Sequence, residues 1–145
     1  MTEIPIVSES RLLTVPDAVA SPPGTPDEGL AWHYGDPPGE QRAATTGAAI
    51  VDRSTRYVIA ISGVERLSWL HTITGQHVAA LPAGASAENL SLDVNGRVEH
   101  HFVQTDLDGV TWIDTEPSRG PDLLGFLTKM VFWSKAEPRD GNDMA

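Results

Sequence analysis

A chain of 145 residues is the size of one domain and long enough to bury a core. Its 20 Asp plus Glu against 10 Lys plus Arg give a formal charge of −10, the wrong balance for binding nucleic-acid phosphates and a favourable one for solubility. It has no cysteine, which excludes disulfides, thiolate metal ligands and cysteine nucleophiles within these residues.

No apolar run reaches the roughly 20 residues that span a bilayer. The first residues, Met1-Thr-Glu-Ile-Pro5, lack a basic stretch followed by an apolar one, so no signal peptide and a cytoplasmic location are expected. Residues 1–31 read as an irregular arm, punctuated by Pro16, Pro22, Pro23, Gly24 and Pro26. Within it, Arg11–Val15 reads as one short strand. The domain proper is expected over 32–137, followed by a polar tail at 138–145.

Asp36-Pro-Pro-Gly-Glu40 predicts a helix start, because Asp can cap and proline suits the first turn. Gly47 should end that helix, and Ala48–Asp52 reads as a short strand. Arg56–Ser62 is apolar and β-branched and predicts a central strand. Val64, Leu67, Leu70 and Ile73, with Trp69 beside them, give the next segment the apolar face of a helix ending at Gly75.

Alternating residues at Asn89–Val94 and Val98–Val103 flank Asn95-Gly96. That pair predicts a type I′ hairpin, whose two centre positions both need positive φ. A second turn at Asp106–Gly109 leads to a strand at Val110–Asp114. A helix is expected from Pro117 to about Met130, then a last strand at Val131–Lys135. The order from Tyr57 onward is strand, helix, hairpin, strand, helix, strand. It predicts an α+β fold with a ferredoxin-like split β-α-β sheet and helices on one face.

Taken singly, the chemistry-bearing residues are weak signals. His100 and His101 are adjacent on a strand, so they point to opposite faces and cannot share one ion without distortion. His71 and His77 straddle a helix end, which is not a zinc spacing, and no metal is expected. No Gly-x-Ser-x-Gly elbow surrounds Ser54, Ser62 or Ser68. No glycine-rich phosphate loop is present either, and Ser62-Gly63 reads as a tight entry into a helix. Asp52 is expected to hold a turn through backbone N–H groups. Trp69, Trp112, Phe132 and Trp133 read as core aromatics, although such rings could equally wall a flat ligand. Residues alone describe an acidic α+β domain with no self-evident active site.

The ordered set is more specific than its parts. Gly47-x4-Asp52-x-Ser54, an apolar strand ending in Gly63, Leu67-x-Trp69-Leu70-x3-Thr74 and Leu92-Asp93-x2-Gly96-Arg97-Val98 follow one another. Together they resemble the folate-binding family of YgfZ-type proteins, relatives of the glycine-cleavage T-protein, the aminomethyltransferase. The resemblance covers roughly residues 30–137 and the N-terminal portion of such proteins. The chain therefore reads as a fragment or a naturally short relative, without the family's later Lys-Gly-Cys-Tyr-x-Gly-Gln-Glu signature.

The resemblance implies tetrahydrofolate as cofactor and a link to assembly or repair of iron–sulfur proteins as partners. It matches Thr74, Gln76, His77, Leu92, Asp93, His100 and His101 to segments near the folate cavity. The inward-facing member of the His100/His101 pair becomes the expected pterin contact, against the plain alternative that the pair only decorates a strand. The transferases carry acidic residues where this chain has His77, His100 and His101. Histidine is neutral or positive near neutral pH and cannot steady a cationic iminium as a carboxylate does. The expectation is a non-catalytic folate-binding module. Its alternatives are an aminomethyltransferase and a ligand-free interaction domain. An incomplete cavity further implies an apolar patch able to form a homodimer.

Overall fold

The computed structural model describes residues 9–144, so the first eight residues of the expected arm and the last residue of the tail lie outside it. The described chain forms two compact units, one up to Arg56 and one from Tyr57. The boundary expected after residue 31 thus falls inside the first unit.

In the first unit, strands β1 (Val19–Ala20) and β2 (Ala31–His33) pair antiparallel and helix α1 (Pro37–Thr46) follows. The Asp36 carboxylate accepts the Gly39 N–H at 3.1 Å, the expected cap, and Gly47 follows the last turn. Two expected strands are absent. Arg11–Thr14 is a 3-10 turn because the Ser10 hydroxyl accepts the Leu12 N–H at 3.0 Å and caps it. Ala48–Asp52 has no strand partner, and Ile50 and Val51 are exposed. Asp52 does hold a turn, accepting the Ser54 N–H at 3.0 Å and the Ser10 hydroxyl. The Ser10 bond, joined by those from Ser54, holds its carboxyl below the usual range despite partial burial.

The second unit is the α+β fold expected. Strands β3 (Tyr57–Ser62), β4 (Ser86–Leu92), β5 (Val98–Leu107), β6 (Val110–Thr115) and β7 (Glu137–Asp140) form one antiparallel sheet in the order β4-β5-β6-β3-β7. Helix α2 (Arg66–Ile73) follows β3, and α3 (Gly120–Lys129) lies between β6 and β7. Strand alternation sends Ile59, Ile61, Phe102 and Ile113 to one face. There they pack with Trp69 and Leu70 of α2 and with Leu123 and Leu127 of α3 in a single core.

The turns differ from expectation in an instructive way. At Asn95-Gly96 only Gly96 has positive φ (78°), and the Gly96 N–H bonds to the Asp93 carbonyl at 3.0 Å. This is a type I turn followed by a left-handed glycine, not type I′. Asp93 explains it: its carboxylate accepts the N–H groups of Asn95 and Arg97, both at 2.8 Å, and fixes the wider loop. The type I′ geometry occurs one turn later, where Asp108 (φ 51°) and Gly109 (φ 79°) join the paired residues Leu107 and Val110.

The last strand is also displaced. Val131–Lys135 is a turn, and the strand forms at Glu137–Asp140, running from the end of the expected domain into the segment expected as tail. Its register sets Ala60 opposite Arg139 and Ile61 opposite Pro138. The Val58 N–H bonds the Asn142 side chain at 2.9 Å, which continues the attachment past the strand. Two of the four expected core aromatics stand in this turn instead, Phe132 73% and Trp133 96% exposed. Phe132 sits at φ 46°, a left-handed turn that carries both rings outward. Trp69 is buried as expected, its indole N–H donating to the Met130 carbonyl at 2.8 Å.

Candidate functional site

The alternation of β5 decides the orientation of the two adjacent histidines. His100 shares the helix-bearing face with Phe102, and His101 takes the open face. Helix α3 passes over the start of β5, and its stripe Asp122, Gly125, Phe126 and Lys129 recurs at helical spacing. Between strand and helix lies a groove of about 620 Å³, lined also by Val98, Glu99, Arg119 and Pro121. That volume lies in the range of small-molecule sites.

His100 is at the base of this groove and only 9% exposed. Its ring lies 5.5 Å from that of Phe126, centroid to centroid, at an interplanar angle of 37°. Its Nδ1 is buried with no hydrogen-bond partner among the described residues, an unmet capacity that costs energy. Burial first, and then the Arg119 charge, lower the pKa of His100; Glu99 and Asp122 oppose them. The imidazole is therefore biased toward its neutral form. Ser91, its cross-strand partner on β4, has a buried hydroxyl likewise without a partner. Arg119 is anchored by a 2.8 Å bond from Nη2 to the Glu99 carbonyl. The groove thus combines the edge of a nearly buried imidazole, a flat ring, two cations and two carboxylates.

The other residues singled out from the sequence are distributed elsewhere. Thr74 and Gln76 join the end of α2 to β4. The Thr74 hydroxyl donates to the Leu70 carbonyl at 2.6 Å and accepts from the Asn89 amide at 2.9 Å. The Gln76 N–H donates to Asn89 Oδ1 at 3.1 Å, and its side-chain amide to the Glu88 carbonyl at 3.2 Å. Asn89 also donates to Gln104 at 2.8 Å, so this is a polar brace inside the sheet–helix layer. His77 is exposed beyond it. Leu92 ends β4, half exposed, and Asp93 organises the hairpin, where the Arg97 and Asn95 N–H groups hold its carboxyl below the usual range. His101 pairs with Glu88 at 2.8 Å on the open face. Of the seven residues, His100 alone lines the groove.

Sequence reading missed Arg119, Asp122, Phe126 and Lys129 as site residues. The available signal was the i, i+3, i+4, i+7 stripe of mixed polarity on α3, with a glycine leaving space at its centre.

No family model matches the chain. No curated protein matches it in sequence. A solved structure, the glycine cleavage system aminomethyltransferase T from Bartonella henselae, is similar at a TM-score of 0.54 and 17% identity over 57% of this chain. This chain covers 23% of that protein, under a quarter of its length, and the likeness is one of fold.

Proposed function

We propose that this chain is a folate-binding module of the YgfZ type with no transfer chemistry of its own. The observation that carries the reading is a ligand-sized groove whose lining joins the rings of His100 and Phe126 to the cations of Arg119 and Lys129. The fold likeness to an aminomethyltransferase T and the ordered sequence segments support it.

The residues fit a pterin with an acidic tail. Phe126 and the edge of His100 offer ring surface to a flat ligand. Arg119 and Lys129 offer positive charge to a carboxylate tail. Tetrahydrofolate, when bound, carries a one-carbon unit, and these residues hold and orient the carrier. The proposed partners are iron–sulfur client proteins. That part is tested by the activity of an iron–sulfur dehydratase in cells with and without the gene, and equal activity under oxidative stress would remove it.

Binding is tested by titrating the chain with 5-formyltetrahydrofolate and following heat and tryptophan fluorescence. Saturable binding is expected to weaken at least tenfold in His100→Ala. It should vanish in Gly125→Leu, because a side chain at 125 meets open space in the groove. No saturable signal, or equal binding in both variants, overturns the proposal.

A second reading, aminomethyl transfer, is favoured by one observation: the Glu99 and Asp122 carboxylates line the same groove. It predicts folate-dependent ammonia release from an aminomethylated carrier protein, lost in Glu99→Gln or Asp122→Asn. Absence of release decides against it.

A further inference from the structure

His71 and His77 lie six residues apart, and the fold brings their rings together at the surface. His71 closes the last turn of α2. The chain then reverses through Thr74-Gly75-Gln76 and returns His77 to it. The ring centroids are 4.5 Å apart and the planes are inclined at 78°. Both residues are exposed.

The reversal is held firmly. The Gly75 N–H bonds the Leu90 carbonyl at 2.8 Å, and the Thr74 N–H bonds the Leu70 carbonyl at 3.0 Å. Asn89 accepts the Gln76 N–H, and the Gln76 side chain in turn accepts the His77 N–H at 3.0 Å. The two histidines are thus presented by a braced turn, and a ligand would not have to order it.

The geometry points to a two-histidine site for a divalent transition-metal ion, with copper(II) and nickel(II) preferred over zinc. A metal–nitrogen bond of about 2.0–2.1 Å places an imidazole centroid about 3.2 Å from the ion. Two such rings at right angles about the ion have centroids about 4.5 Å apart, and at a tetrahedral angle about 5.2 Å. The observed 4.5 Å lets both rings reach one ion once the exposed side chains turn a nitrogen toward it. The preference for copper(II) rests on the ordinary affinity order for nitrogen ligands, with copper(II) at its top. Among the described residues no third His, Asp, Glu or Cys joins the pair, so water fills the remaining positions and the ion stays exchangeable. Those open positions would accept a ligand from a second protein.

The test is calorimetric titration of the whole chain with copper(II), nickel(II) and zinc(II) chlorides at pH 7.5. Electron paramagnetic resonance of the copper form accompanies it. The expected result is one copper(II) per chain, tighter than zinc, with a spectrum showing two imidazole nitrogens. Affinity should fall at least tenfold in His71→Gln and in His77→Gln, and stay unchanged in His33→Gln and His101→Gln. Undiminished binding in either of the first two variants overturns the proposal, as does zinc binding as tight as copper. So does loss caused equally by His33→Gln or His101→Gln. His71 lies outside the folate groove, so failure here leaves the folate reading standing, and the reverse holds too.

Discussion

Arg66 and Asp106 meet as a two-pronged ion pair between the first turn of α2 and the end of β5. Nε donates to Oδ1 and Nη2 to Oδ2, both at 2.9 Å, with the side chains 16% and 6% exposed. The Thr111 hydroxyl donates to the same Oδ1 at 2.8 Å, so Asp106 is saturated on the core side of the sheet. Removing one partner strands a buried charge, and Arg66→Met should cost about 3 kcal/mol. Replacing both, as Arg66→Met with Asp106→Leu, should recover most of that loss. Urea denaturation of the two single variants and the double variant measures the coupling. Additive losses would show that the pair is not a unit.

His100 links stability to pH. Its pKa lies below the ordinary histidine value, through burial first and then the Arg119 charge. The unfolded chain therefore takes up a proton at a higher pH than the folded one. The contribution of this residue is fully present above the unfolded pKa of about 6.5, and it is lost as pH falls below that value. The urea midpoint should drop between pH 7.5 and 5.5, and the drop should be smaller in His100→Gln. Parallel pH profiles would sever the link.

Two glycines should respond in opposite directions. Gly63 has φ 109°, and a Cβ there would lie 2.1 Å from the Lys135 carbonyl oxygen. Gly63→Ala meets an unfavourable backbone and a backbone clash together, and should cost upwards of about 3 kcal/mol. Gly125 lies inside α3 with nothing within 4 Å of its added Cβ. Gly125→Ala should gain about 1 kcal/mol in helix propensity. Thermal melts of the two variants check both signs.

Phe132 occupies a left-handed conformation while largely exposed. Phe132→Gly should therefore raise stability by about 1 kcal/mol, because it removes strain and little packing. Trp133→Ser should leave it within about 0.5 kcal/mol. A large loss in either variant by chemical denaturation would mean that these rings are covered in solution.

What was legible in the sequence was local. Asp36 before two prolines specifies the start of α1, and Leu67, Trp69, Leu70 and Ile73 specify α2, whereas Val64 lies before the helix and is 82% exposed. The strand-and-helix order from Tyr57 was enough to name the fold class. Less legible was anything decided by a distant partner. Glu137-Pro-Arg-Asp140 has no β-branched residue, and it becomes a strand because β3 offers it a free edge. Phe132 and Trp133 look like core by composition, and a single backbone dihedral turns them out. For the groove, strand alternation established that one of His100 and His101 faces inward. The choice between them needed Phe102 as a register mark, and the opposing wall from α3 needed the tertiary fold.

The position of β7 beside β3 has a practical consequence for handling the protein. Strand β3 is flanked by β6 and β7, so a chain cut before Glu137 would leave its backbone N–H and carbonyl groups along one side without partners. An apolar strand with an open side templates intermolecular pairing. Shortened versions lacking 137–145 should precipitate at concentrations where the whole chain stays dispersed, and added charge elsewhere on the surface would not cure it.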